Sequence, residues 1–212
     1  CEETADFSEN DGSVNRVDIT VSADIIDSAN ISEGTFVEHD GYIAIEAPHF
    51  DKSKDTADAS YQVIDNFGKT IGGVKAFPTT AQFNVGDEAP VVEYKLYVKE
   101  AGTYNMEFFT APNNPVVYKG KMCVGLGIND AEYQVVNMIP DEGYIPWISS
   151  DWAEGVLSHI HKTTVAISLE KGENTIAIKA MDPAVVLQKL VIAREDVTVP
   201  DSYLGPKESY RK

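Results

Sequence analysis

Short runs of alternating apolar and polar residues, cut by glycine, proline and asparagine, fill this chain from position 17 to position 193. A side-chain period of two sends alternate residues to opposite faces, so each run reads as a half-buried strand. Many short strands with turn residues between them predict an all-β chain folded as an antiparallel β-sandwich. The longest run is Val-Val-Glu-Tyr-Lys-Leu-Tyr-Val at 91–98, followed across Ala101-Gly102 by a returning run at 103–110. These two are expected to pair as neighbours in a hairpin. Residues 121–128 and 132–138 flank Asn129-Asp130 and predict a second hairpin. Further strands are expected at 17–21, 61–65, 74–77, 164–169, 174–180 and 186–193. One short surface helix is expected at 151–162. Asp151 with Glu154 three residues later makes a capping-box-like start, and Trp152, Val156 and Ile160 recur at spacing four as an apolar face.

The run at 41–50, Gly-Tyr-Ile-Ala-Ile-Glu-Ala-Pro-His-Phe, separates its faces most clearly. Tyr42, Ala44 and Glu46 fall on one side, and Ile43, Ile45 and Ala47 on the other. Pro48 ends the pairing, because proline donates no backbone hydrogen bond. Glu46 is a carboxylate in an apolar strand, so it must find a partner or face water.

At 212 residues the chain suits one domain with extensions. Its formal net charge of −17 repels phosphates and excludes nucleic acid as a partner. No apolar run approaches the ~20 residues needed to cross a bilayer. Residues 1–16 are polar and acidic and read as a disordered tether, with the sandwich domain at 17–212 and an irregular tail after Val199. Cys123 reads as a buried core residue, and two cysteines do not make a disulfide framework. Cys1 is open to two readings. It is either a boundary without chemical meaning or the lipidated first residue of a bacterial lipoprotein, in which case the anchor would be its only membrane contact.

Four stretches resemble the β-sandwich domain that closes the family 115 glycoside hydrolases, the xylan α-glucuronidases. They are the strand at 41–50, the Trp152, Val156, Ile160 pattern, the run Asp-Pro-Ala-Val-Val-Leu-Gln-Lys-Leu-Val at 182–191, and Ser-Tyr-Leu-Gly-Pro at 202–206 followed by Glu208 and Ser209. Lys207, Pro48 and His159 depart from the family pattern. The opening strand is also similar to that of carbohydrate-binding module families 6 and 35. The resemblance implies a jelly-roll sandwich of the carbohydrate-binding-module type without catalytic residues of its own. In families 6 and 35, opening-strand glutamates and a late aspartate hold a structural calcium, which would place Glu46 and Asp182 as ligands. Pro48 removes one carboxylate from that set. The Cys-Glu-Glu start resembles the export signal of Bacteroidetes surface lipoproteins, implying a cell-surface, outer-membrane location.

No nucleophile elbow, phosphate loop or zinc spacing is present. His159 and His161, two apart on the expected helix, would point different ways and share no metal. In a chain with 34 acids, a carboxylate pair for glycoside hydrolysis is uninformative. The loop 140–151 is more specific. Tyr144 and Trp147 beside Asp141, Glu142 and Asp151 supply faces for stacking and oxygens for hydroxyls, as a sugar site requires. The alternative is that both rings fold back over the sandwich edge. Trp152, on the helix's apolar face, is either a core residue or a ligand contact. The leading function is therefore a non-catalytic module binding a plant cell-wall polysaccharide such as decorated xylan. The alternative is a structural or homodimerisation domain supporting a glycoside hydrolase catalytic domain.

Overall fold

The structure, a computed structural model, describes residues 2–8, 14–20, 30–116, 120–139 and 144–212. Strands β1 (Glu2–Ser8) and β2 (Val14–Thr20) pair antiparallel in a two-stranded sheet of their own, within the compact unit Cys1–Asn30. The stretch read as a tether therefore holds a strand, in which Ala5 and Phe7 sit two apart among acids, and the strand expected at 17–21 begins at Val14.

Residues Ile31–Lys212 form the second unit, a sandwich of two sheets. In the first sheet the order is β11 (Gln134–Asn137), β10 (Cys123–Ile128), β13 (Gly172–Ala180), β8 (Val91–Val98) and β3 (Phe36–Val37), with β5 (Lys52–Lys54) also on β8. In the second it is β12 (His161–Leu169), β9 (Gly102–Thr110), β14 (Leu187–Arg194), β7 (Gly72–Phe77) and β6 (Ser60–Asp65), with β4 (Tyr42–Glu46) also on β14. Among the described residues every strand pairing is antiparallel except the short β3–β8 contact. The expected antiparallel sandwich with one helix is the observed architecture.

The period-two reading holds from Tyr42 to Ala47; β4 ends at Glu46, and Ala47–His49 turn away as a short 3-10 helix. Ile43, Ile45 and Ala47 enter the core between the sheets, whereas Tyr42 and Ala44 join a smaller apolar cluster on the outer face of the second sheet. The main core is completed by Tyr94 and Leu96 of β8, Met106 and Phe108 of β9, and Leu190 and Ile192 of β14. Each fully buried apolar side chain contributes about 1.5–3 kcal/mol.

The expected hairpin of 91–98 with 103–110 does not form. β8 pairs with β13, β5 and β3, while β9 pairs with β12 and β14, so the two runs lie in different sheets. Residues 99–101 cross from one sheet to the other. Three extended residues span roughly 10 Å, the usual spacing of packed sheets. Glu38 holds this corner by accepting from the Lys99 amide at 2.6 Å, and the Tyr104 hydroxyl donates to the Glu100 carbonyl at 3.0 Å. The second predicted hairpin is present as β10–β11, with Asn129 at φ 52° in its turn.

The helix is shorter than its periodicity suggests. α1 runs Ser150–Ser158, capped by Ser149, whose hydroxyl accepts from the Trp152 amide, rather than starting at Asp151. His159 adopts φ 62° and ends it. The next residues are claimed by β12, where His161 pairs with Thr110 and Lys162 with Phe109. Strand pairing thus overrides the helical spacing that had included Ile160.

The C-terminal tail is not loose. Ser209 and Ala44 exchange backbone and hydroxyl hydrogen bonds along β4, and Val37 donates to Tyr210, Gly34 to Lys212 and Lys212 to Thr35. The tail therefore covers strand edges of both sheets, which would otherwise present unpaired backbone groups.

Candidate functional site

The outer face of the second sheet carries an open cleft of about 720 Å³. It is lined by β12 and Phe109 of β9, by α1, by residues 135–139 of β11 and the segment after it, and by Lys69, Asp201, Ser202, Tyr203 and Gly205. A second groove of about 340 Å³ continues along the same face and shares Phe109, Lys162, Thr164, Asp201 and Gly205 with the first. Together they form an extended channel lined by hydroxyls, carboxylates, two lysines and one exposed tyrosine.

That tyrosine is Tyr203, 64% exposed, with the Lys69 ammonium 3.9 Å from its ring centroid. Lys162 lies 4.5 Å from the Phe109 ring centroid and pairs with Glu107 at 3.2 Å. Burial, and then the positive charge of Lys162, hold the Lys69 ammonium below the ordinary lysine range, and Asp201 opposes them.

Three segments around the cleft are fastened to two neighbouring residues of β14. The register shifts between Leu187 and Lys189. The irregularity breaks the alternation at Gln188, so Gln188 and Lys189 both serve the outer side. Gln188 accepts from the Lys69 amide at 2.9 Å and donates to the His159 carbonyl at 3.2 Å. Lys189 donates to the carbonyls of Leu204 at 3.2 Å and Pro206 at 2.8 Å, and pairs with Glu46 at 2.9 Å.

The expected sugar loop is only partly where it was placed. Tyr144 is buried, not a platform: its ring meets His161 edge-on at 5.7 Å, and its hydroxyl lies 3.3 Å from His161 Nε2. The ring joins the main core cluster, and burial of its apolar face stabilises it there. Trp147 is 69% exposed and takes φ 55°, but it is not among the residues that line the cleft. Trp152 meets Trp147 edge-on at 6.5 Å and packs against the main core. Asp151 lines the cleft. Asp141 and Glu142 lie outside the described residues, as does Cys1.

Tyr203 and Lys69 were not singled out from the sequence. The available signal was an aromatic residue in Ser-Tyr-Leu-Gly-Pro, a motif whose polar and ring residues have no place in a strand pattern.

His161 is buried beneath α1, where Gly155 leaves room: a Cβ at Gly155 would come within 2.5 Å of the imidazole. Burial lowers its pKa, and the carboxylate of Asp151 partly opposes this. The unfolded chain therefore takes up a proton before the folded one. Stability is full above the ordinary value of 6.5 and falls as pH drops through it. His161→Gln should lessen that fall, seen as a smaller difference in urea midpoint between about pH 7.5 and about pH 5 than in the parent chain.

The calcium ligands implied by the resemblance do not fit a metal here. Glu46 Oε1 is engaged by Lys189 and Oε2 accepts from Thr70 Oγ1 at 2.5 Å. Asp182 accepts from the Cys123 amide at 2.7 Å and from Gln82 at 2.9 Å, stitching its loop to β10. Calcium needs six to eight oxygens, and among the described residues no group of three or more acidic, histidine or cysteine side chains could hold an ion.

No curated protein sequence matches the chain significantly. Among solved structures it is similar to a family 115 4-O-methyl-α-glucuronidase with specificity for decorated arabinogalactans. The TM-score is 0.50 at 16% identity, over 69% of this chain and 18% of that enzyme. It is also similar to a family 35 carbohydrate-binding module from Clostridium thermocellum, with TM-score 0.48 and 20% identity over 71% of this chain and 98% of the module. The chain thus spans under one fifth of the glucuronidase. Residues 35–208 match the glycosyl hydrolase family 115 C-terminal domain, and the chain belongs to that family of accessory domains.

Proposed function

We propose that the domain binds a polysaccharide along the outer face of its second sheet, serving a family 115 hydrolase as a carbohydrate-binding module. The observation that supports this reading is the channel formed by the two joined grooves, with the exposed Tyr203 ring at its rim. A ring offers its face to sugar C–H bonds with little rotamer entropy to lose. Asp151, Glu154, Ser202 and Thr163 offer oxygens to hydroxyls. Plant cell-wall polysaccharide, decorated xylan first, is the ligand class proposed, with a lipid anchor at Cys1 holding the domain at a bacterial cell surface. Retention of the chain in affinity gels cast with decorated xylan, decorated arabinogalactan or an unrelated α-glucan tests the reading. Retardation by xylan is the expected result, retardation by arabinogalactan alone would move the ligand, and no retardation would refute binding.

A second reading rests on the exposed apolar side chains Trp147, Ile148 and Leu157, at 69%, 72% and 79% exposure around α1. Such a patch suits docking onto a partner surface, as a supporting domain for the catalytic part of a hydrolase would require. Trp147→Ala should then leave polysaccharide retention unchanged while weakening that association.

A further inference from the structure

The buried pair Glu46–Lys189 sits directly beneath the rim of the channel, and its bonds reach both sides of that rim. Thr70, next in sequence to Lys69, donates to Glu46 Oε2. Leu204, next to Tyr203, gives its carbonyl to Lys189. Pro206 does the same, and the Glu46 amide donates to Glu208 at 2.9 Å. Lys69 and Tyr203 form the exposed cation–π pair. The two side chains of the ion pair are 9% and 4% exposed, so water does not loosen the pair. Each oxygen of the carboxylate has a donor, and the ammonium has three acceptors, matching its three N–H groups.

We propose that the Lys189 ammonium does the work of a structural cation at Glu46, and that through Thr70 and Leu204 this ion pair positions Lys69 against Tyr203. Lys189 and Glu46 are positioning residues: neither lines the channel. The rim is then set by the chain's own charges and needs no calcium. The proposal rests on the polysaccharide reading only for the purpose of the rim, because the arrangement itself can be read without any ligand.

Two ligand-free measurements test it. The first is calorimetry of the full chain after chelation and again with millimolar calcium, and the melting temperature should be the same in both. The second is the NMR position of the Lys69 ε-methylene protons. The face of Tyr203 shifts them upfield of a free lysine. Lys189→Met should return them towards the free-lysine position while the Ile45 and Leu190 methyl signals stay native-like. Thr70→Val, which spares the ion pair, should move them in the same direction and decides the matter if Lys189→Met does not fold. A melting temperature that falls on chelation would overturn the proposal, as would Lys69 resonances unmoved in Thr70→Val. Absence of polysaccharide binding would leave both results standing and would count only against the function proposed above.

Discussion

Glu46→Ala should lower the stability of the sandwich by about 3–5 kcal/mol, because it leaves the Lys189 ammonium buried without its counter-charge. For a domain of this size that is a fall in melting temperature of roughly 10 °C. The size of the effect comes from the orphaned charge rather than from the worth of the pair, which desolvation largely offsets. Glu46→Leu combined with Lys189→Met should therefore lose much less than Glu46→Ala alone. It will not be neutral, since the Leu204 and Pro206 carbonyls lose their donor. Urea unfolding of the three proteins checks this. A double variant as unstable as Glu46→Ala would mean that the orphaned charge is not the cause.

Phe108→Ala should cost about 3–5 kcal/mol through a different route. Phe108 is fully buried on β9, the strand between β12 and β14, and it faces the core between the sheets. Removing the ring empties space that well-packed neighbours on both sheets cannot close. Its neighbour Phe109 points the other way, into the outer cluster and the floor of the cleft. Phe109→Ala therefore reaches the channel directly, whereas Phe108→Ala reaches only stability. A loss under about 1 kcal/mol for Phe108→Ala, by chemical denaturation, would contradict the placement of this strand.

The two faces of 41–50 were legible because burial on one side of a strand enforces period two, and Ile43 and Ile45 obey it. That Glu46 needs a partner was legible too, from the cost of an unpaired buried carboxylate. The identity of the partner was not. Lys189 is remote in sequence, and only the pairing of β4 with β14 sets Lys189 opposite Glu46. The same gap explains the failed hairpin. Alternation states which side chains point inward but not which strand lies alongside, so β8 and β9 fitted a hairpin and a sheet-to-sheet corner equally well. The helix was legible as an element, yet its end was not, because the β12–β9 ladder claims His161 and Lys162.

Of the residues expected at the site, Asp151 lines the cleft and Tyr144 is buried against His161. An aromatic residue in a proline-rich loop looks the same from sequence whether it stacks on a ligand or packs edge-on against a buried histidine. Tyr203 was overlooked for the complementary reason. The tail has no periodicity, and its order comes from Lys189, Ala44 and Thr35, none of them nearby in the chain.

The most direct measurement is the affinity of the chain and of Tyr203→Ala for decorated xylan, by affinity gel or calorimetry, with Trp147→Ala in parallel. Tyr203→Ala should weaken binding by about 1–3 kcal/mol, tenfold or more, with an unchanged melting temperature, and Trp147→Ala should bind as the parent does. Tyr203→Ala binding as tightly as the parent, or loss of binding confined to Trp147→Ala, would place the polysaccharide elsewhere and contradict the channel as the site.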